Sequence, residues 1–322
     1  MKKTIGIIGL GSISERHQRN IKFLHPDIQI ICMPSSPFKT NRTANYCDEI
    51  VYDLSELLSY NPTFIIIASP ATFHLFHAKC IIKARIPIFF EKPLAANIHD
   101  CEEIINLLNI YNIPAAVGYC MRYMPSAREV KRILANGVLG KVFHCQINVG
   151  QYLPNWRPSK NILQTVSASQ FLGGGALLEL SHEIDYAKWL FGTLKLCYSK
   201  VRSSEELNLD VEDVVDILAE NDDGVIFNIH LDFLQKTKYR RCQIFGTQGS
   251  LTWDLARNRI IQYNSLGQKE IPGNPEWNSN NMYIDEIKDF MECIETKKTA
   301  SYATVKEATE VIRFISDVKD FQ

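Results

Sequence analysis

The feature that most constrains the fold is a set of short, almost wholly apolar runs in the first 120 residues. Residues 5–8, 64–68 and 86–90 do not alternate with polar positions, and helix-like segments separate them. A strand that is apolar on both faces must be covered on both faces, which is typical of a parallel sheet flanked by helices. The first part of the chain therefore predicts a doubly wound α/β domain over residues 1–120.

The chain changes character after residue 120. Longer strand-like runs at 196–201, 211–219, 225–233 and 239–245 are joined by turn sequences such as Asn221-Asp222-Asp223-Gly224. Hairpin-linked strands of this kind predict an α+β domain over residues 121–322, with a mostly antiparallel open sheet. Its helices are predicted from the triple glycine at 173–175 to residue 190, at 281–295 and at 304–318.

Composition narrows the range of partners. The formal net charge is −1, with 35 basic and 36 acidic residues, so no electrostatic argument favours nucleic acid or an anionic membrane. No apolar run reaches the roughly 18 residues of a membrane-spanning helix. Nine cysteines without a C-x-x-C spacing are typical of a reduced, cytoplasmic protein, and we expect no metal site.

A glycine-rich turn follows the first apolar run and precedes a helix. In Gly9-Leu10-Gly11-Ser12-Ile13-Ser14, two glycines fit the dinucleotide fingerprint and Ser14 replaces the third. Gly9 suits a tight turn, Gly11 lets the backbone approach a pyrophosphate, and the N–H groups of Ser12 and Ile13 suit an anion at the helix N-terminus. This context predicts a Rossmann domain that binds NAD or NADP; a plain strand–helix turn is the alternative.

The end of the second strand bears on the choice between the two dinucleotides. The fingerprint expects an acid there to bind the ribose 2′-hydroxyl, but this chain has Met33-Pro34-Ser35-Ser36, followed by Lys39 and Arg42. Serine hydroxyls and basic side chains would bind a 2′-phosphate, so the sequence favours NADP(H). If Lys39 and Arg42 are only solvated loop residues, NAD(H) fits equally well.

Two further segments carry candidate chemistry. Glu91-Lys92-Pro93 follows an apolar strand, at the sheet edge where ligands bind in this architecture. In the predicted helix after the triple glycine, Glu179, His182 and Asp185 recur every three residues and would share a face. A histidine between carboxylates can act as an acid or base near neutral pH. A surface lysine and a structural histidine are the alternative interpretations.

Taken together, the motifs resemble the glucose–fructose oxidoreductase/inositol dehydrogenase family (Gfo/Idh/MocA). The resemblance covers nearly the whole chain, and the matching pieces stand in the family's order. They are Gly9-Leu10-Gly11, Ser69-Pro70-Ala71-Thr72-Phe73-His74, Glu91-Lys92-Pro93, Gly118-Tyr119-Cys120-Met121-Arg122-Tyr123, residues 173–185 and Gly246-Thr247-Gln248-Gly249-Ser250-Leu251.

The resemblance implies catalytic roles for several of these residues. Lys92 matches the family lysine that assists proton movement at the reacting hydroxyl, and His182 matches the catalytic histidine. Many members have an aspartate four residues before that histidine, but position 178 is leucine here. Glu179 is the nearest acid and Asp185 matches an aspartate three residues after the histidine, so the third catalytic position stays open between them.

The resemblance also implies binding residues, and a cis bond before Pro93. The cofactor set is Gly9, Gly11, Ser12, Ile13, Ser35, Ser36, Ser69, Pro70, Thr72, His74, Glu91, Lys92 and Arg122. The substrate set is Lys92, Tyr119, Arg122, Trp156, Arg157 and His182. Residues 152–158 resemble a subgroup associated with bacterial surface-sugar pathways, in which Trp156 and Arg157 would bind a polar, anionic sugar by stacking and charge. A packed loop is the alternative.

The implied activity is hydride transfer between a nicotinamide and a carbinol or keto carbon of a sugar, cyclitol or sugar nucleotide. A redox-neutral, NAD-using glycosidase of the same fold and a non-catalytic dinucleotide-binding sensor are the alternatives. The family also implies a homo-oligomer, either a dimer or a tetramer, formed through the open sheet.

Overall fold

A computed structural model describes residues 3–35, 45–158, 161–274, 276–296 and 302–321. The chain forms two compact units. The first comprises residues 1–120 and 279–312, and the second comprises residues 121–278 and 313–322. The first unit thus extends beyond the predicted N-terminal domain, because it also takes in a segment from near the end of the chain.

The first unit is built on a six-stranded parallel sheet in the order β3-β2-β1-β4-β5-β6. Its strands are β1 (Thr4–Ile8), β2 (Gln29–Met33), β3 (Glu49–Ile50), β4 (Phe64–Ile67), β5 (Ile88–Phe90) and β6 (Ala115–Val117). Every residue of β1, β4 and β5 is buried, as the unbroken apolar runs predicted. The order β2-β1-β4 reverses direction beside β1, which creates a crevice at the carboxyl ends of these strands.

Helices cover this sheet. They are α1 (Ser12–Leu24), α2 (Leu54–Ser59), α3 (His74–Lys83), α4 (Ile98–Tyr111) and α8 (Asn281–Thr296). Helix α8 belongs to the returning C-terminal segment, and it buries Ile287 and Phe290 in a core shared with Phe64 and Phe89. Helix α4 begins at Ile98 because Asn97 caps it, accepting a hydrogen bond from Asp100 N at 2.9 Å.

The second unit is built on an eight-stranded sheet in the order β14-β13-β12-β11-β7-β10-β9-β8. Its strands are β7 (Val142–Gly150), β8 (Leu194–Arg202), β9 (Val214–Asn221), β10 (Ile226–Asp232), β11 (Tyr239–Gly246), β12 (Gly249–Asp254), β13 (Arg259–Asn264) and β14 (Gly267–Ile271). Only the β7–β10 pair is parallel among these strands, so the mostly antiparallel sheet is confirmed. Helices α5 (Pro125–Ala135), α6 (Ala176–Glu179) and α7 (His182–Phe191) belong to this unit, and α9 (Val305–Asp320) crosses the boundary at residue 312.

Two features of the second unit differ from the sequence-based prediction. The single helix predicted up to residue 190 was wrong: it is interrupted at Leu180 and Ser181, which separate α6 from α7. Strands β12 to β14 were not predicted at all. Strand β14 is almost wholly exposed and β13 is exposed at its carboxyl end, so neither carries a full apolar face to mark it. No helix in the described ranges has the length and apolar character needed to cross a membrane.

Candidate active site

In the first unit the predicted site segments lie together at one edge of the parallel sheet. After each of four strands, a backbone N–H donates a hydrogen bond to a carbonyl at the end of the neighbouring strand. The four strands are β1, β4, β5 and β6, and the loops that follow them therefore lie side by side. These bonds are Gly9 N to Met33 O (2.7 Å), Ala68 N to Ile8 O (2.8 Å), Glu91 N to Ile67 O (2.9 Å) and Gly118 N to Phe90 O (2.8 Å). The glycine turn and the Lys92 loop therefore share the edge at which this fold binds ligands.

The turn after β1 has the backbone that a dinucleotide site requires. Gly9 has φ +115°, and a Cβ at this position would lie 2.4 Å from the carbonyl oxygen of Ala68. Gly11 has open space where a Cβ would stand, and Ser12 at the start of α1 is exposed. The free N–H groups of this 13-residue helix thus face open space, so the turn fits a bound pyrophosphate.

Ser14, the departure from the fingerprint, has a structural role in this turn. Its hydroxyl donates to Gly9 O at 2.6 Å and accepts from Gln18 Nε2 at 3.0 Å, and the side chain is fully buried. A hydroxyl at this position braces the Gly9 turn from inside the helix. The serine therefore supports the same backbone instead of weakening the motif.

The loop after β4 is held by two buried histidines. His74 bridges two carbonyl oxygens, Ser69 O at 2.9 Å and Leu94 O at 3.0 Å, and burial lowers its pKa. His77 Nδ1 is hydrogen-bonded to Ser69 Oγ at 3.1 Å. His74 is 1% exposed, so its ring ties the β4 loop to the loop that carries Lys92. Its predicted contact with the cofactor stays a prediction.

The loop carrying Lys92 is fixed on both sides. Glu91 is buried; its Oε1 is hydrogen-bonded to His17 Nε2 at 2.5 Å, and its Oε2 accepts from Lys92 N at 3.2 Å. The Lys92–Pro93 peptide bond is cis, as the resemblance implied. Leu94, which follows, is fully buried. Lys92 itself is partly exposed.

The other predicted residues of this unit fall into three groups. Ser35, Pro70 and Thr72 are partly exposed near the same strand ends, whereas Tyr119 is buried. Thr72 Oγ1 is buried with no hydrogen-bond partner among the described residues. The remaining positions, Ser36, Lys39 and Arg42, lie outside the described residues.

In the second unit the triple glycine and the break after α6 place His182. Gly175 has φ +102°, and a Cβ there would lie 2.5 Å from a carboxylate oxygen of Glu212. That carboxylate accepts from Leu177 N at 3.1 Å, near the start of α6. Because α6 ends at Glu179 and α7 begins at His182, the two residues do not share one continuous helix face, contrary to the prediction. His182 is 9% exposed and Glu179 is partly exposed.

Asp185 is engaged in a buried ion pair. It accepts from Arg122 Nε at 3.0 Å and from Arg122 Nη2 at 2.6 Å, a bidentate pair in which Arg122 is 4% and Asp185 0% exposed. The guanidinium lies 5.8 Å from the ring centroid of Trp189. The resemblance implied a catalytic Asp185 and a ligand-binding Arg122. In this structure each of these charges is compensated by the other.

A second pair on α7 was missed from the sequence. Glu183, next to the histidine, is fully buried and receives two hydrogen bonds from Arg240 of β11, at 2.6 and 2.8 Å. A charged residue inside an otherwise apolar helix face was the available signal, because such a charge requires a partner. The two acids of α7 thus anchor the helix from which His182 projects.

The loop at 152–158 is packed through Trp156. Its indole donates to Gln151 O at 3.1 Å, and its ring meets Phe233 edge-on with centroids 5.4 Å apart. Arg157 beside it is exposed. The contacts support the packed-loop alternative for Trp156 and leave Arg157 accessible to a ligand.

Sequence reasoning also missed two buried residues beside Glu91. His17 on α1 and Glu286 on α8 are 0% and 1% exposed, and with Glu91 they place three potential ligand atoms within 4.8 Å of one another. A histidine on the buried face of α1 was a visible signal. The proximity of Glu286 to His17 could not be found from sequence spacing, because the two residues are 269 positions apart along the chain.

Two family models match the chain. Residues 3–119 match one described as "Oxidoreductase family, NAD-binding Rossmann fold", and residues 127–252 match the "GFO/IDH/MocA C-terminal domain". An uncharacterized oxidoreductase of Bacillus subtilis is 25% identical over 311 residues, which is 91% of this chain and 86% of that protein. An inositol 2-dehydrogenase of Acidothermus cellulolyticus is 24% identical over 282 residues, covering 85% and 78%.

Solved structures share the fold over nearly the full length. A levoglucosan dehydrogenase in complex with NADH and levoglucosan superposes with a TM-score of 0.86 at 17% identity, covering 99% of this chain and 97% of its own. UDP-N-acetylglucosamine 3-dehydrogenase from Acidithiobacillus ferrooxidans gives 0.78 at 14% identity, with 99% and 97% coverage. At these identities the likeness shows the architecture alone.

Proposed function

The chain belongs to the Gfo/Idh/MocA family of NAD-binding oxidoreductases, and from that premise we propose its reaction. The enzyme transfers a hydride between C4 of a nicotinamide and a carbinol or keto carbon of a sugar, cyclitol or sugar nucleotide. The observation that carries the proposal is the Lys92 loop. It lies at the same sheet edge as the open N-terminus of α1, and Glu91 and the backbone brace it.

The cofactor would be held by the Gly9–Gly11 turn, with its pyrophosphate against the N–H groups of Ser12 and Ile13. When bound, the nicotinamide supplies the hydride chemistry. Lys92 contributes a positive charge that stabilises the developing alkoxide. A cation held in place stabilises the charge of the transition state more strongly than a solvated cation does. The rigid loop limits where its ammonium can reach.

His182 is the proposed acid or base for the hydroxyl proton. Its helix is anchored by Glu183 and Asp185, each bonded to an arginine, so the imidazole starts from a fixed backbone. In this proposal Asp185 holds Arg122 in place and does not exchange a proton with substrate. We therefore propose Glu179 as the third catalytic residue, beside Lys92 and His182.

The test compares Lys92→Met and His182→Asn with the parent on a panel of sugars, cyclitols and nucleotide sugars, following the reduced-nicotinamide absorbance. Each change should lower kcat by about 10²–10⁴-fold, while dinucleotide affinity is kept. Lys83→Met on the exposed face of α3 is the matched control and should have parental activity. Parental turnover in both site variants would overturn the proposal.

The same assay separates the alternatives. A redox-neutral glycosidase would cleave substrate without net change in absorbance and would retain its cofactor through purification. A sensor would tolerate both substitutions and turn over no member of the panel.

For the cofactor we propose that NADP(H) binds at least as well as NAD(H). The described end of β2, Met33-Pro34-Ser35, carries no carboxylate to repel a 2′-phosphate. Titrating both dinucleotides against protein fluorescence measures the ratio of dissociation constants. A marked preference for NAD(H) would refute this choice.

For the substrate we propose a polar sugar whose anionic group is met by Arg157, with Trp156 shaping the loop. The relative named as an inositol 2-dehydrogenase supports the broad class. A role in surface-polysaccharide sugar synthesis is part of this proposal. Arg157→Ala should raise KM for anionic sugars and leave KM for neutral ones unchanged.

We further propose a cytoplasmic homo-oligomer, a dimer or a tetramer, formed through one face of the second sheet. That face carries Tyr198, which is half exposed, and His230, which bridges Asp216 and Asp232 at 2.6 and 3.1 Å. Light scattering after gel filtration measures the assembly state, and a mass equal to one chain would refute it. All nine cysteines are free thiols, which suits a reducing compartment.

A further inference from the structure

Three side chains from distant parts of the first unit meet behind the Lys92 loop. His17 comes from α1, Glu91 follows β5, and Glu286 comes from α8. All three are buried, and the His17 ring packs edge-on against Phe89, with centroids 5.7 Å apart, and against Tyr283, with centroids 6.5 Å apart. Within the described residues, His17 Nδ1 and Glu286 Oε1 have no hydrogen-bond partner. The proposed chemistry so far uses neither residue.

Glu91 connects this cluster to Lys92. One carboxylate oxygen meets His17 Nε2 at 2.5 Å, and the other accepts the backbone N–H of Lys92 at 3.2 Å. Gly118 lies beside this carboxylate, since a Cβ there would lie 3.4 Å from Glu91 Oε1. A shift of the Glu91 carboxylate would alter the hydrogen bond that the Lys92 amide donates to it.

The charges of the cluster are balanced from neighbouring elements. Burial raises the pKa of Glu286 well above its usual range, the negative charge of Glu91 raises it further, and Arg16 lowers it. The Arg16 guanidinium lies 4.3 Å from the ring centroid of Tyr283, and burial raises the pKa of that phenol. Because two adjacent buried carboxylates are costly to ionise together, burial and the charge of Glu91 both favour the protonated form of Glu286.

A metal ion is a poorer explanation of the cluster. The 2.5 Å between His17 Nε2 and Glu91 Oε1 is a hydrogen-bond distance, whereas two ligands on a zinc ion each stand about 2 Å from the metal and farther from each other. Arg16 already supplies positive charge. A hydrogen bond between His17 and Glu91 accounts for the short distance without a further ligand.

We propose that His17 and Glu286 are positioning residues that hold Lys92 in its working geometry through the Glu91 carboxylate. The inference rests on the catalytic role proposed for Lys92. It adds that α1, the helix proposed to bind the dinucleotide, and α8, which returns from the C-terminal part, jointly set the position of that lysine. In this proposal His17 and Glu286 act on Lys92 through the Glu91 carboxylate, and neither of the two touches substrate or cofactor.

The test uses paired substitutions in the full-length protein. His17→Ala should lower kcat by about 100-fold, the effect of a displacement of order 1 Å, with dinucleotide affinity unchanged. His17→Gln, whose amide can reach the same carboxylate, should recover most of the loss. Glu286→Gln, a neutral mimic of the protonated acid, should keep near-parental kcat and its pH profile, whereas Glu286→Ala should not. Glu295→Gln, an exposed position on α8 paired with Lys3, is the matched control and should behave as the parent.

A second readout does not depend on turnover. Hydrogen exchange at the Lys92 amide, measured by mass spectrometry on the peptide that contains it, should accelerate in His17→Ala and Glu91→Ala and stay slow in Glu286→Gln. If Lys92→Met proved fully active, the proposed function would fail while the exchange result still judged the positioning. Parental exchange and kcat in His17→Ala, or a loss in Glu286→Gln equal to that in Glu286→Ala, would overturn the inference.

Discussion

Replacing Asp185 with asparagine tests whether this residue is a structural anchor. The substitution keeps the shape of the side chain but removes the charge that compensates Arg122, which is 4% exposed. Asparagine has one acceptor oxygen where the guanidinium presents two donors, at 3.0 and 2.6 Å, so one donor would face an N–H group. Breaking a buried pair from one side costs about 3–5 kcal/mol, a large share of the about 5–15 kcal/mol that stabilises a domain.

Urea unfolding followed by tryptophan fluorescence measures this loss in the right part of the molecule. All four tryptophans, at 156, 189, 253 and 277, belong to the second unit, and Trp189 lies beside Arg122. Glu129→Gln is the control: its pair with Arg132 has similar hydrogen bonds, at 2.7 and 2.6 Å, but is exposed, so little change is expected. The double variant Arg122→Met/Asp185→Leu should be more stable than Asp185→Asn alone. A loss below about 1 kcal/mol in Asp185→Asn would refute the anchoring role.

Further predictions concern the first unit. Gly9→Ala should destabilise the protein by about 1–3 kcal/mol and abolish dinucleotide binding. The residue has a φ of +115°, and the added Cβ would lie 2.4 Å from Ala68 O. Gly11→Ala, with open space for its methyl group, should keep parental stability in the same unfolding assay and lose only affinity; equal destabilisation of both would contradict this. Burial lowers the pKa of His77 to about 4 from 6.5. The His77 imidazole therefore binds a proton more tightly in the unfolded chain than in the folded one. The free energy of unfolding is at its full value above pH 6.5 and falls by about 3 kcal/mol as the pH approaches 4. His77→Gln should flatten this dependence in unfolding curves taken across that range, and His99→Gln, an exposed position, should not.

Much of the first unit could be predicted from local patterns. Runs such as Phe64–Ile67 must be covered on both faces whatever their neighbours are, so they already predict a parallel sheet. The Gly9 turn is equally local, since its role depends on a backbone conformation that few residues other than glycine adopt. The row of loops at the carboxyl strand ends follows from these two facts. The edge strand β14 and its neighbour β13 escaped the same reasoning because neither carries a full apolar face to signal it.

The chain's own sequence determined which backbone elements form and which side chains are candidates for chemistry; the tertiary structure decided which charges compensate one another. Asp185 reads as a catalytic acid beside His182, yet 63 residues separate it from the arginine that it binds. From the sequence Glu91 is predicted to contact the cofactor, but its carboxylate is hydrogen-bonded to a histidine 74 residues away. Hydrophobic periodicity acts over a few residues and is written in the local order of the chain. Pairing of buried charges acts through space at a few ångströms, so it exists only once the strands and helices have brought the partners together.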